Sequence, residues 1–264
     1  MEYVKRGKLM LNINDDLINK LVKDDESIDD LQLNGIHLIQ KKEGFRFGID
    51  AVLLANFANV KKGNKVIDMC TGTGIIPFIL AGKTKASQLI GIEVQQEMVE
   101  MANRSIEVNS LNDRMNFICG DLTDGKLLKS IEKAEVVTVN PPYKLANSGI
   151  VNPNDKNAIA RHEILCTLED VIIAARVLLK DNGRFFMVHR PERLVDIFDL
   201  MRKHRIEPKR VRMVHPNTKR EPNIVLIEGQ RDGGRFLKWE APLYVYKEDG
   251  GYSDEIEEIY GRRQ

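Results

Sequence analysis

Neither sign of charge dominates this chain. Its 264 residues carry 40 lysines and arginines against 39 aspartates and glutamates, a net of +1. No whole-molecule field therefore draws in a polyanion, and any nucleic acid must be held by a local patch. Cysteine is scarce: Cys70, Cys119 and Cys166 are odd in number, far apart and without Cys-x-x-Cys spacing. That argues against a disulfide framework and a zinc cluster, and no metal is expected. Each cysteine is read as a reduced, small apolar residue in or near the core. No apolar run reaches the roughly 18–20 residues of a membrane span. The first six residues lack the apolar stretch of a secretion signal, so the expected compartment is the cytosol. Internal repeats and low-complexity tracts are also missing. Hydrophobic residues make up 42% of the chain, enough to pack a core.

The apolar pattern then sets the architecture. Residues 1–44 read as a charged arm with a helical piece at 15–22, followed by a small hairpin within 33–48. A helix follows with Asp50 near its N-cap. From Lys65 strands and helices alternate: strands at 66–70, 89–93, 115–119, 136–139 and 184–189, and helices at 75–81, 95–109, 167–179 and 191–204. Asp181-Asn182-Gly183 reads as the C-cap of the helix before it. Two further strands, 210–214 and 224–228, close the series with no helix between them. Alternation implies a parallel sheet covered on both faces, and the closing pair implies one antiparallel edge strand. The expected fold is α/β, Rossmann-like, with seven strands spanning residues 45–229. Residues 230–264 form a C-terminal appendage packed on the core, with a strand at 242–246 and a helix at 253–260 capped by Ser253.

Ligands of such a sheet bind at the carboxyl ends of the strands, near the switch in strand order. There the sequence places Asp68-Met-Cys-Thr-Gly72-Thr-Gly74, a turn whose glycines let the backbone approach a ligand closely. Glu93 ends the second strand, where a carboxylate can bind both hydroxyls of a ribose. Asp121 follows the third, where it can accept the exocyclic amine of an adenine. Pro77 stands where the dinucleotide fingerprint needs a third glycine. That favours a nucleoside without a diphosphate, such as S-adenosylmethionine.

The fourth strand runs into Asn140-Pro141-Pro142-Tyr143. Two prolines fix φ and stiffen the turn. The Asn140 side-chain oxygen and the Pro141 carbonyl can take the two hydrogens of a flat amine. That frees its lone pair to attack a methyl group in line, while Tyr143 stacks on the acceptor. These motifs together resemble the class I S-adenosylmethionine-dependent amino-methyltransferases. Asp30-Leu-Gln-Leu-Asn-Gly35, Gly44-Phe-Arg-Phe-Gly-Ile-Asp50-Ala-Val-Leu-Leu-Ala, Arg161-His162-Glu163 and Glu221-Pro222-Asn223 extend the resemblance to the bacterial tRNA(Val) adenosine-37 N6-methyltransferase family. The resemblance implies N6-methylation of an adenine in tRNA. It also implies that Phe45 to Asp50 border the cofactor and substrate pocket, and that Arg161 and His162 follow a loop over the target base.

Other residues admit two readings. His162 is either a substrate contact or a helix-entry residue. The basic run 203–220, with Lys209 and Arg210 at its centre, is either a solvated face or a set of RNA phosphate contacts. Trp239 is read as core or appendage packing. Rival functions use the same turn: glutamine-amide methylation of a protein, or N2-methylation of guanine in rRNA. The amide methylases carry a long helical domain before the cofactor motif, whereas 67 residues precede Asp68 here. DNA adenine methylation fits less well, because no stretch is long enough for a separate recognition domain. A non-catalytic cofactor-binding protein is the rival of a different class, and the intact turn argues against it. The sequence leaves the oligomeric state open.

Overall fold

A computed structural model describes residues 20–43, 47–142 and 166–262 of the chain. Phe45, Tyr143, Arg161 and His162 lie outside the described residues, as does most of the helical piece expected at 15–22. Among the described residues, no helix is long and apolar enough to cross a membrane.

The chain enters through a hairpin of β1 (Glu26–Asp30) and β2 (His37–Lys41). It starts earlier than the sequence pattern placed it. β1 is half-polar, with Ile28 its only aliphatic residue, so it lacks an alternating apolar signature. The hairpin is held from outside: Arg104 forks onto Glu26 at 2.5 and 2.7 Å, and Asn109 donates to the His37 carbonyl at 2.6 Å.

α1 (Ile49–Phe57) begins after Gly48, which leaves Asp50 in the first turn rather than at the cap. The alternating units follow: β3 (Lys65–Met69), α2 (Ile75–Lys83), β4 (Gln88–Glu93), α3 (Gln96–Val108), β5 (Met115–Cys119), α4 (Gly125–Ser130) and β6 (Ala134–Val139). Then come α5 (Leu168–Leu178), β7 (Leu179–His189), a 3-10 turn (Pro191–Arg193), α6 (Leu194–Lys203), β8 (Ile206–His215) and β9 (Ile224–Arg231). The principal strands lie in the order β8-β9-β7-β6-β3-β4-β5. β3, β4, β5, β6 and β7 are mutually parallel, whereas β9 runs antiparallel to both neighbours. The antiparallel strand therefore sits one place in from the edge, not at it. The loop after β8 is short enough to make a hairpin, and β8 thereby recovers the common direction.

Both faces of the sheet are covered. Val136, Phe186 and Leu226 pack under α1 and α2 on one face, where Phe78 of α2 joins the same cluster. Ile67, Val137, Phe185 and Ile227 pack under α5 and α6 on the other. Adjacent residues such as Phe185 and Phe186 are thus both fully buried, as in strands covered on two sides.

Three local expectations change. α5 ends at Leu178 and β7 starts at once with Leu179, so Asn182 (φ 60°) and Gly183 do not cap the helix. They form an irregularity where the β6–β7 register shifts between Ala134 and Val136. Cys119 is exposed, because its side chain faces away from the core at the strand's last position. Trp239 is 59% exposed, on β10 (Lys238–Trp239), which with β11 (Leu243–Tyr244) pairs in parallel along the outer edge of β8. α7 (Asp254–Ile259) is capped by the Ser253 hydroxyl, which accepts from the Ile256 amide at 3.3 Å. Leu243, Val245 and Ile256 of this segment are buried in the same cluster as α1, and Arg212 holds α7 by a fork onto Glu255 at 2.6 and 2.8 Å.

Candidate active site

After β5 the chain crosses to β6 on the other side of β3, so the strand order reverses between β3 and β6. The site residues of the first half converge there. Met69, Val139 and Met187 stand side by side in the ladders, as do Met69 and Ile92, and Glu93 and Cys119. Asp68, Glu93, Asp121 and Asn140 therefore emerge on one edge, at the ends of four neighbouring strands. Three strand spacings separate the outermost two, roughly 14 Å.

Asp68 is fully buried. Its Oδ1 accepts from the Thr138 hydroxyl of the adjacent strand at 2.6 Å. Its Oδ2 has no hydrogen-bond partner among the described residues, and neither has the buried Thr71 hydroxyl. Burial pushes the carboxyl up to about 7, resisted by the Thr138 and Thr71 hydroxyls and reinforced by the charge of Glu93. Thr71 is near enough to act on this charge but lacks hydrogen-bonding geometry to it.

The turn after Asp68 is left-handed at Cys70 (φ 53°), Gly72 (φ 56°) and Gly74 (φ 86°). Gly74 is required twice over, because a Cβ there would also lie 2.4 Å from the Phe117 ring. At Gly72 a Cβ would meet nothing within 4 Å; the glycine lines open space. The Gly72 amide donates to Glu93 Oε2 at 2.9 Å and the Gln95 amide to Oε1 at 3.1 Å. Glu93, only 4% exposed, is thereby locked against the glycine turn. Asp121 uses one oxygen, Oδ1, to close its own turn onto Thr123 at 2.7 and 2.8 Å. None of these three carboxylates has an ion pair among the described residues, although acid–base pairs are frequent elsewhere in the fold.

Three unpaired acids around a cradle fit a cationic nucleoside bearing vicinal hydroxyls. They do not fit a diphosphate, which their charge would repel. Cys70 and Cys166 are both pushed up by burial, Cys166 to about 12, so neither is a thiolate nucleophile near neutral pH.

The sequence reading missed His189. It ends β7 beside the Asn140 strand and is 3% exposed. Burial, helped by the nearby Arg193, brings its imidazole down to about 4. Its Nδ1 accepts from the Arg190 amide at 2.8 Å, which places the ring proton on Nε2. Arg190 in turn donates to the Asn223 carbonyl at 2.8 Å and ties the Glu221-Pro222-Asn223 segment to this edge. The only signal in the sequence was a polar residue at the end of an apolar strand.

Lys209 and Arg210 lie elsewhere, in the first half of β8, away from the carboxyl edge. Arg210 is bound within the protein. Its guanidinium donates to Glu228 at 2.6 Å, Glu240 at 3.2 Å and the Phe57 carbonyl at 2.7 Å, and lies 3.7 Å from the centre of the Phe57 ring. Lys209 donates to the Gly234 carbonyl at 2.8 Å. Of the same run, Lys203 pairs with Glu169, Arg205 with Asp232, Arg212 with Glu255 and Lys219 with Glu248. Most of the run is internally neutralised.

A doubly wound sheet with one inserted antiparallel strand and a strand-end nucleoside cradle defines the class I methyltransferase fold. The chain belongs to the methyltransferase small domain family, whose model matches residues 48–205. It is 29% identical over 189 residues to a tRNA1(Val) (adenine(37)-N6)-methyltransferase of Porphyromonas gingivalis, covering 69% of this chain and 73% of that one. A protein of the same name from Dyadobacter fermentans is 23% identical over 209 residues, with 76% and 82% covered. Among solved structures, a predicted O-methyltransferase from Agrobacterium tumefaciens superposes with a TM-score of 0.65 at 19% identity, over 80% of this chain and 95% of that one. Trm5 of Methanocaldococcus jannaschii, solved with adenosine, superposes with a TM-score of 0.55 at 18% identity, over 80% and 56% of the two chains.

Proposed function

We propose that this protein transfers a methyl group from S-adenosylmethionine to N6 of an adenine in RNA, at adenosine 37 of tRNA(Val). The observation that carries the reading is the placement of the Asn140-Pro141-Pro142 turn. It stands at the strand-order switch, one strand from the buried, unpaired Asp68 and two from Glu93. The substrate is supported by the names of the relatives, which match over most of their length.

When bound, the cofactor supplies a methyl group on a sulfonium, an electrophile that needs no metal activation. The residues that would hold it are Glu93 at the ribose, Asp121 at the adenine amine and the Gly72–Gly74 turn beneath. Asp68 would supply buried negative charge for a cationic ligand, and Asp50, in the first turn of α1, would border the pocket as the family resemblance implies. Asn140 and the Pro141 carbonyl would accept the two hydrogens of the target amine. That favours a tetrahedral nitrogen and releases its lone pair from the ring. The stiffness of the two prolines keeps these acceptors aimed without reorganisation, which is where most of the rate would come from. Tyr143 would stack on the base, with Phe45, Arg161 and His162 around it. No strong base is needed, because the methylated amine is acidic enough to lose its proton to water.

Incubation with labelled S-adenosylmethionine and unmodified total tRNA, followed by nucleoside mass spectrometry, tests the reading. N6-methyladenosine is expected. N2-methylguanosine in rRNA, label in protein, or no product would each overturn it.

A further inference from the structure

The corner of the sheet farthest from the active site carries features that the reaction does not use. β8 begins at this corner, and α6 ends there. Arg202, Arg205, Glu207, Asp232 and Arg235 line an open depression of about 580 Å³. Arg235 has no hydrogen-bond or ion-pair partner among the described residues. Arg205 is 73% exposed in its side chain, and its pairing acid Asp232 is shared with Arg176 and Arg231. Next along the chain from Arg235, Phe236 is 75% exposed and Trp239 59% exposed, with Lys238 between them in sequence, its ammonium 3.8 Å from Glu240. Phe236 holds a backbone φ of 154°, a conformation that L side chains rarely adopt. The fold thus holds an apolar ring in water through a backbone it would otherwise avoid.

We infer that this corner is a second RNA-contact surface, on which Arg205, Arg235 and Lys238 hold phosphates while Phe236 and Trp239 stack on an unpaired base. The inference rests on the reading of RNA as substrate. Cations in excess of acids beside exposed aromatic rings are the pattern that tracks a nucleic-acid backbone and stacks its bases. A dimer interface would bury the rings but leave the unpaired Arg235 guanidinium without an anion, because the patch has no spare acid to offer a second copy. Eight residues along β8 and three strand spacings across the sheet put the corner roughly 30 Å from Asn140. An RNA that reaches both must extend that far from the target base, as a whole tRNA does and a stem-loop of a few base pairs does not. The surface would therefore select a whole tRNA over its isolated loop, and it would act on affinity, not on the methyl transfer.

The test uses Arg205→Glu/Arg235→Glu, Trp239→Ala and Phe236→Gly. It measures methylation of an unmodified full-length tRNA and of a short stem-loop carrying the target base. For the tRNA, KM should rise about tenfold in the double reversal, and the slope of log affinity on log salt should fall by about one to two. The kcat at saturation, the Kd for S-adenosylmethionine and the KM for the stem-loop should hold at parent values. Phe236→Gly should raise Tm while raising KM for tRNA, a pairing that a purely structural role would not give. Parent-like KM and salt slope in all variants would overturn the inference. So would equal losses on both substrates, or a parent dimer that the variants dissociate, which would make the surface a protein interface. If the parent methylates no tRNA, the proposed function fails instead, and fluorescence-anisotropy titration of the same tRNA with parent and variants then decides the surface by itself.

Discussion

Replacing Asp68 by Asn removes a buried carboxylate whose ionisation costs the fold stability. The carboxyl stands at about 7 in the folded chain against an ordinary 3.8, so the folded state keeps a proton that the unfolded state has already lost. Stability from this group is present below about pH 4 and is lost as pH rises through 7. At about 1.4 kcal/mol per pH unit, the loss reaches at most about 4 kcal/mol. His189 works in the opposite direction. Its folded value of about 4 lies below an ordinary 6.5, so its contribution is present above 6.5 and falls away toward pH 4, by up to about 3 kcal/mol. Between pH 4 and 6.5 the two slopes nearly cancel, and the parent's profile should look flat for these groups. The difference between Asp68→Asn and parent isolates Asp68. In urea unfolding without cofactor, the variant should match the parent near pH 4 and exceed it at pH 8 by a few kcal/mol. The cationic cofactor needs the charged form, so its Kd in the parent should tighten up to tenfold per unit as pH rises from 5.5 toward 7. In Asp68→Asn that Kd should be weak and flat. Equal stability differences at pH 4 and pH 8, or a parent Kd that ignores pH, would refute the account of Asp68 as an uncompensated acid.

Asn140→Ala should cut turnover about 10²–10³-fold by loss of one polarising acceptor, with the cofactor Kd measured by calorimetry close to parent; near-parent turnover would move the active site elsewhere on the edge. Glu93→Ala should weaken cofactor binding by about 1–3 kcal/mol, since it strips the Gly72 and Gln95 amides of their acceptor as well as the ligand hydroxyls. Gly74→Ala should lower unfolding stability by about 2 kcal/mol or more, through a left-handed backbone and a clash with Phe117; an unchanged denaturation midpoint would contradict that geometry. Arg210→Ala should cost about 3 kcal/mol by leaving Glu228 with Arg184 alone and Glu240 with only a 3.8 Å contact to Lys238, and it should leave the salt dependence of RNA binding at the parent value.

These expectations divide according to how far the sequence can see. Asp68, Glu93, Asp121 and Asn140 were legible because each ends an apolar strand, and a parallel sheet with helical crossovers brings such ends to one edge whatever the loops do. Their partners also lie nearby in the chain or straight across the ladder: Thr123 for Asp121, Gln95 for Glu93, Thr138 for Asp68. The run 203–220 was not legible in this way. Whether a lysine or arginine is free depends on which acids the fold delivers, and these come from remote elements: Glu169 from α5, Glu228 from β9, Glu240 and Glu255 from the appendage. β8 seen alone shows an exposed charged face. Seen with β10, β11 and α7 against it, that face is a covered edge whose charges hold the cover in place. Arg210 and Arg235 make the contrast concrete. The first lies in the densest stretch of positive charge and has its donors occupied by two carboxylates, a carbonyl and an aromatic face. The second, 25 residues on among glycines and apolar side chains, keeps its charge unpaired at the surface. Where free positive charge ends up is set by the folded arrangement of acids, and it points to the corner beside Phe236, not to the middle of β8.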